Sequence, residues 1–128
     1  MPRRLHYGFW VTLACLGMAG GLATPTAARA EEAGQAVYQR DCRPCHSIIR
    51  MRNQVGPSLF GVVGRQVASI SSFVYSDALR GSPLIWSEAA LDAFLAAPQA
   101  MFPNTAMRFS GLKDAAERAA LIAYLKGL

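Results

Sequence analysis

The chain has 128 residues, of which 52% are hydrophobic and 16% charged, and a formal charge of +5. That length supports one domain with a modest core, and the hydrophobic share excludes a disordered polyelectrolyte. Arg3, Arg4 and Arg29 all fall in the first 30 residues, so the basicity is partly local and gives no case for a nucleic-acid partner.

Residues 1–30 read as an export signal. Arg3 and Arg4 make a positive start, Phe9 to Leu22 is an apolar run broken by glycines, and Ala28-Arg29-Ala30 is a small-x-small cleavage site before Glu31. The other reading is an uncleaved membrane anchor. The apolar run is shorter than the roughly 20 residues a span needs, and Pro25 suits cleavage better. Cys15 lacks the leucine three positions ahead that a lipoprotein box would carry, so no lipid is expected on it. Removing 30 of the 128 residues leaves a 98-residue domain over 31–128, with ten basic against eight acidic residues, a formal +2. The expected compartment is a bacterial periplasm or its equivalent.

The mature part is organised around Cys42-Arg43-Pro44-Cys45-His46, a C-x-x-C-H haem-attachment signature. Two thiols at this spacing can add to the two vinyl groups on one side of a porphyrin, and the histidine can turn its imidazole onto the iron. A redox dithiol or half a zinc site would use C-x-x-C too. Past residue 30, however, the only cysteines and histidines are these three, too few for a structural zinc. No strand–helix–strand pattern surrounds them either. A buried haem would add apolar surface to a small core, so the fold is expected to depend on it.

Glu31 and Glu32 are expected to open a first helix that runs into the motif, with Gly34 and Tyr38 sharing one face. Residues 47–65 read as loop, punctuated by Gly56-Pro57, Gly61 and Gly64, with Arg50 and Arg52 as solvated charges. Tyr75 to Gly81 reads as a short helix. Ser87 caps another, with Leu91, Phe94 and Leu95 as its apolar face and Pro98 as its stop. Trp86, just before it, reads first as core. Met101 to Gly111 reads as loop. The last helix runs from Asp114, which pairs with Glu117 as a capping box, and buries Leu121, Ile122, Tyr124 and Leu125.

If a protein side chain fills the second axial position, a methionine thioether is the candidate, because no second histidine is present past residue 30. Met51 is too near His46 to reach the opposite face. Met101 and Met107 remain, and the residues alone favour neither.

Taken together, C-x-x-C-H near the mature start, Gly56-Pro57, a distant methionine and Leu121-Ile122-Ala123-Tyr124-Leu125 resemble a class I cytochrome c, closest to the mitochondrial and bacterial cytochrome c2 branch. The resemblance covers nearly all of residues 31–128. It implies an all-α fold with three principal helices and short ones around one covalent haem c, the first and last helices crossing at Gly34 and Tyr38 against Leu121 and Tyr124. It implies thioethers at Cys42 and Cys45, His46 and Met107 as axial ligands, and the Pro57 carbonyl as acceptor for the His46 N–H. Met107 is thereby preferred over Met101. Arg65, Tyr75, Trp86 and Thr105 match the residues that hold the haem propionates, which moves Trp86 from plain core to propionate donor.

The implied function is one-electron transfer by a monomer between redox protein partners, a donor and an acceptor that can be membrane-bound, with no small-molecule substrate and no enzymatic activity. A dedicated haem subunit of a periplasmic dehydrogenase would use the same chemistry. An open-iron peroxidase-like or gas-binding protein would not, and the sequence offers it no distal histidine or catalytic base.

The departures from the family pattern are specific. The loop between His46 and Pro57 is one residue short. Lys113 and Lys126 are the only lysines, so the family's lysine ring is largely missing. Ala106 stands where a lysine is usual, and Leu79 and Phe94 where an asparagine and a tyrosine often help to hold a buried water near the methionine. A drier methionine side disfavours the extra charge on ferric iron and should raise the reduction potential. Leu79→Asn combined with Phe94→Tyr is therefore expected to lower the potential in a redox titration; an unchanged or higher value would contradict this.

Overall fold

The computed structural model describes residues 25–128. Arg3, Arg4, Cys15 and the apolar run of the expected signal lie outside the described residues. The first described element, α1, spans Pro25–Val37 and passes straight through the expected cleavage site. Glu31 and Glu32 thus stand within the helix instead of opening it.

From α1 the chain enters a π-helical turn, Tyr38–Cys42, in which the Arg43 N–H donates to the Tyr38 carbonyl at 2.8 Å. The helix therefore does run into the C-x-x-C-H motif, widening as it arrives. Three further helices follow: α2 at Glu88–Ala96, α3 at Pro98–Met101 and α4 at Ala115–Lys126. Among the described residues, extended pairing is limited to one antiparallel bridge between Gln66 and Ile85, so the fold is all-α.

The helix ends are set by local chemistry. The Ser87 hydroxyl accepts from the Ala90 N–H at 3.1 Å to start α2. Pro98 ends α2 and opens α3, whose last residue is Met101, so this methionine closes a helical turn instead of starting a loop. Asp114 Oδ1 accepts from the N–H groups of Ala116 and Glu117 at 2.7 and 3.1 Å to start α4. The reciprocal half of the expected capping box is not made, because the Glu117 carboxylate accepts from Arg40 on the π turn, at 2.9 and 3.0 Å.

Residues 75–81 do not form the expected helix. Leu79 N–H and Arg80 N–H both donate to the Ser76 carbonyl, and Ser82 N–H donates to Leu79, so the stretch makes turns only. The stretch stops after a single turn because Gly81 takes a left-handed φ of 74° and Pro83 follows two residues on.

The core gathers Val37 and Tyr38 from the first helical stretch, Leu91, Phe94 and Leu95 from α2, and Leu121, Ile122 and Leu125 from α4, with Trp86 and Phe102 between them. Trp86, Phe94 and Phe102 form a triangle of tilted and edge-on rings with centroids 4.9 to 6.1 Å apart. α1 crosses α4 at Gly34. A Cβ built there would lie 2.1 Å from the Ala120 carbonyl oxygen and 2.7 Å from Tyr124 Cβ, so the two backbones meet only because the side chain is missing. Tyr38 and Tyr124 extend the crossing with ring centroids 5.9 Å apart.

Gly34→Ala is expected to cost about 1–3 kcal/mol by overpacking, read as a fall in the guanidinium midpoint of the holoprotein. Gly127→Ala is the control. Its Cβ would come no closer than 3.5 Å to Tyr124 O, so it should stay within about 0.5 kcal/mol of wild type.

Candidate haem site

The C-x-x-C-H motif hangs from the end of the first helical stretch. Cys45 N–H and His46 N–H both donate back to the Cys42 carbonyl, at 3.0 and 2.8 Å, which curls the two cysteines and the histidine onto one turn. The buried Tyr38 hydroxyl donates to the His46 carbonyl at 2.9 Å and ties that turn to the helix crossing. Both thiols are free. Cys42 is half-buried against the core and Cys45 is exposed. Burial, with the Asp41 carboxylate adding to it, pushes the Cys42 thiol up to about 12. A redox dithiol needs a stabilised thiolate, so this geometry disfavours the disulfide-exchange alternative.

His46 Nδ1 lies 2.8 Å from the Pro57 carbonyl oxygen. A carbonyl can only accept, so Nδ1 carries the proton and Nε2 keeps its lone pair. Burial lowers the His46 pKa, with the Arg65 charge acting the same way against the Pro57 bond, and this keeps the ring neutral and able to ligate. Gly56 forms the cradle. A Cβ there would fall 2.3 Å from His46 Cε1 and 2.6 Å from Nδ1, so only glycine lets the ring lie against the backbone.

The carbonyl of Pro57 is held in turn by its neighbours. Ser58 N–H donates to Asn53 Oδ1 at 3.1 Å, and the Ser58 hydroxyl donates to the Ile49 carbonyl at 2.8 Å. The Asn53 amide donates across to Ser72. Arg65 Nη1 and Nη2 donate to the carbonyls of Phe60 and Ser58 at 3.0 and 2.9 Å. A loop with no helix or strand is thus fixed by side chains bonded to backbone.

The candidate propionate residues fall into two groups. Arg65 adjoins Tyr75, each acting on the other's charge, and Arg65 O accepts from the Trp86 N–H of the backbone at 2.8 Å. Burial lowers the Arg65 pKa and raises that of Tyr75. Thr105 is buried, and its hydroxyl accepts from the Met107 N–H at 3.5 Å. No side-chain hydrogen bond joins Thr105 to Arg65 among the described residues. Met107 and Met101 are both partly buried against the same core, so packing does not choose between them.

These residues fit a haem. The Arg65 guanidinium is half-buried, yet no described carboxylate pairs with it. A buried cation in that state calls for an anion. The Trp86 indole N–H donates to no described residue. Because no fully enclosed side-chain polar atom is left without a partner, this N–H must still be reachable by a group outside the core.

The reading from residues alone missed three groups. Gly56 as the ring cradle was hidden in a Gly-Pro pair that reads first as a turn. The Tyr38 hydroxyl and the Asn53 side chain act through contacts eight and nineteen residues away in sequence, which no local pattern displays.

The protein-family model described as "Cytochrome c" matches residues 31–128. The chain is 46% identical over 87 residues to cytochrome c2 iso-2 of Magnetospirillum fulvum, covering 68% of this chain and 91% of that one. It is 37% identical over 125 residues to cytochrome c2 of Blastochloris viridis, covering 97% and 92%. Among solved structures, cytochrome cH from Methylobacterium extorquens superposes with a TM-score of 0.71 at 37% identity, covering 77% of this chain and 98% of that one. The chain belongs to the cytochrome c family, a class I member with one covalently bound haem c, and is an electron carrier that works with redox partners and not an enzyme.

Proposed function

We propose that the mature chain is a periplasmic one-electron carrier in which Cys42 and Cys45 anchor the haem and His46 and Met107 occupy both axial positions of its iron. The observation that carries this reading is the His46–Pro57 bond at 2.8 Å, which leaves Nε2 as an unprotonated, oriented ligand atom. The haem supplies a one-electron iron(III)/iron(II) couple. The protein's residues hold it still. Cys42 and Cys45 would hold the haem covalently, His46 and Met107 would ligate its iron, and such His/Met ligation would raise the potential relative to two nitrogen ligands. Arg65, Tyr75, Trp86 and Thr105 bind the propionates, with the Arg65 charge offsetting theirs in a partly buried setting.

Export follows from the Ala28-Arg29-Ala30 site, cleavage after Ala30 leaving Glu31 at the start of the mature helix. Among the described residues, no helix is long and apolar enough to cross a membrane. The mature protein works as a monomer, exchanging electrons with protein donors and acceptors.

Charge distribution bears on those encounters. Asp41, Asp77, Glu88, Asp92 and Glu117 are each paired with an arginine or lysine. Arg43, Arg50, Arg52 and Arg108 pair with no described carboxylate; Arg43 lies within the attachment motif, Arg50 and Arg52 follow it, and Arg108 follows Met107 in sequence. Four dispersed arginines on a chain of small net charge steer over short range only.

The optical spectrum tests the ligation. The wild type is expected to show a low-spin ferric spectrum with the weak sulfur-to-iron charge-transfer band, and Met107→Ala should lose that band. A high-spin wild type, or one whose reduced form binds carbon monoxide at neutral pH, would overturn the carrier reading in favour of an open iron. The charge pattern gives a second expectation: association rates with an acidic redox partner, measured by stopped flow, stay nearly flat in ionic strength. A steep fall with salt would show that the arginines act as one cluster.

A further inference from the structure

The segment that carries Met107 is closed at its base. Leu112 N–H donates to the Leu95 carbonyl at 2.7 Å, and Lys113 Nζ donates to the Ala96 carbonyl at 2.9 Å. Arg118 reaches back from α4 to the carbonyls of Leu112 and Lys113, both at 2.9 Å, while its Nε donates to Asp92 at 2.7 Å. The segment therefore leaves the end of α2 and returns to it, with the return pinned from two helices.

The tip packs on the core through Met107 and Phe109, but it is held by fewer and longer hydrogen bonds. Within it, Thr105 N–H donates to the Phe102 carbonyl and Phe109 N–H to the Met107 carbonyl, both at 3.1 Å. Met107 N–H donates to the Thr105 hydroxyl at 3.5 Å, the weak end of the range. Beyond the turn at Phe102, only one described side chain bonds residues 103–110 to the rest of the chain. Gln99 Nε2 donates to the Thr105 carbonyl at 3.2 Å and to the Met107 carbonyl at 3.4 Å.

A single amide nitrogen carries two N–H groups. To bond two carbonyls two residues apart, it must hold both on the same side of the backbone, which restricts the torsions of Thr105, Ala106 and Met107 together. Its own base is firm, because Pro98 is fully buried and the Phe102 N–H donates to the Pro98 carbonyl at 2.9 Å. The Gln99 side chain itself is exposed, so water competes for the same groups and the bridge opens at modest cost.

We propose that Gln99 is the latch of the Met107 segment, a positioning residue whose amide bridges the Thr105 and Met107 carbonyls and sets how often the methionine side chain leaves its place. The proposal rests on Met107 as an axial ligand for its consequence at the iron, and on the hydrogen bonds alone for its consequence in the backbone. The closed base keeps the opening local, so the latch governs ligand exchange without governing the fold.

The test uses the ferric holoprotein with Gln99→Ala and Gln99→Glu. The second variant keeps the length of the side chain, loses both donors and sets a negative charge beside the two carbonyls. In both, imidazole should replace the methionine about three- to tenfold faster than in wild type, as expected for loss of weak exposed hydrogen bonds. Amide exchange at Met107 and Phe109 should rise with it. The charge-transfer band and the guanidinium midpoint should stay at wild-type values. Unchanged exchange at Met107 and Phe109 in both variants would overturn the latch, as would an equal rise across the amides of α1 and α4. If the wild type itself lacks the charge-transfer band, the ligand assignment fails and the amide exchange alone decides the latch.

Discussion

The structure depends on one hydrogen bond, from His46 Nδ1 to the Pro57 carbonyl at 2.8 Å. It fixes the tautomer of the ring, and with it the nitrogen that keeps a lone pair. Nothing in regular secondary structure supports its acceptor, since Pro57 lies in a long loop. The loop is made rigid by polar side chains instead. Asn53, Ser58 and Arg65 between them bond the backbone at residues 49, 58, 60 and 72. Each such bond is worth only about 1 kcal/mol net, but they share partners, so losing one leaves others strained or unsatisfied. The loop that orients the His46 ring is thus a network and not a spacer.

The helices supply the frame on which that network hangs. α1 and α4 come from opposite ends of the chain and meet at Gly34, where the backbones touch. Tyr38, one turn on, takes part in both tasks. Its ring packs on Tyr124 and its hydroxyl fixes the His46 carbonyl. The position of the attachment motif is therefore set by the helix crossing, through one side chain. Arg40, bonded to Asp41 and Glu117, adds an exposed ionic tie across the same crossing. Exposed pairs of this kind contribute little to stability; here the tie explains why Glu117 is not available to complete the cap of α4.

Much of this was legible in the residues. C-x-x-C-H has a chemical reason for its spacing, Gly34 and Tyr38 share a helix face by simple periodicity, and Ser87, Pro98 and Asp114 are local signals that acted locally. The failures also have physical reasons. Residues 75–81 have the composition of a helix, but Gly81 turns left-handed and Pro83 follows, so only turns form. Glu117 reads as a capping partner until a distant arginine competes for it. The order of residues cannot show that Gly56 faces an imidazole, because what fills the space above a glycine is decided by the tertiary fold. Met101 and Met107 stay equivalent by residue type and by burial, and the resemblance to class I cytochromes separates them where packing does not.

Three polar groups in the site can each take a further partner. His46 keeps a lone pair at Nε2 in a buried setting, the Arg65 cation is half-buried with no described carboxylate, and the Trp86 N–H has no described acceptor. Desolvating such groups is unfavourable unless each finds a partner. A metal ion answers the first, and carboxylates answer the second and third. One ligand that carries a metal at its centre and carboxylates at its edge would answer all three at once, and the turn that presents His46 also presents the two free thiols of Cys42 and Cys45. Arg65 already donates to the carbonyls of Phe60 and Ser58, so a haem would add a charge partner to a group that is hydrogen-bonded without it, and would extend the packing of a fold whose enclosed polar atoms are already paired.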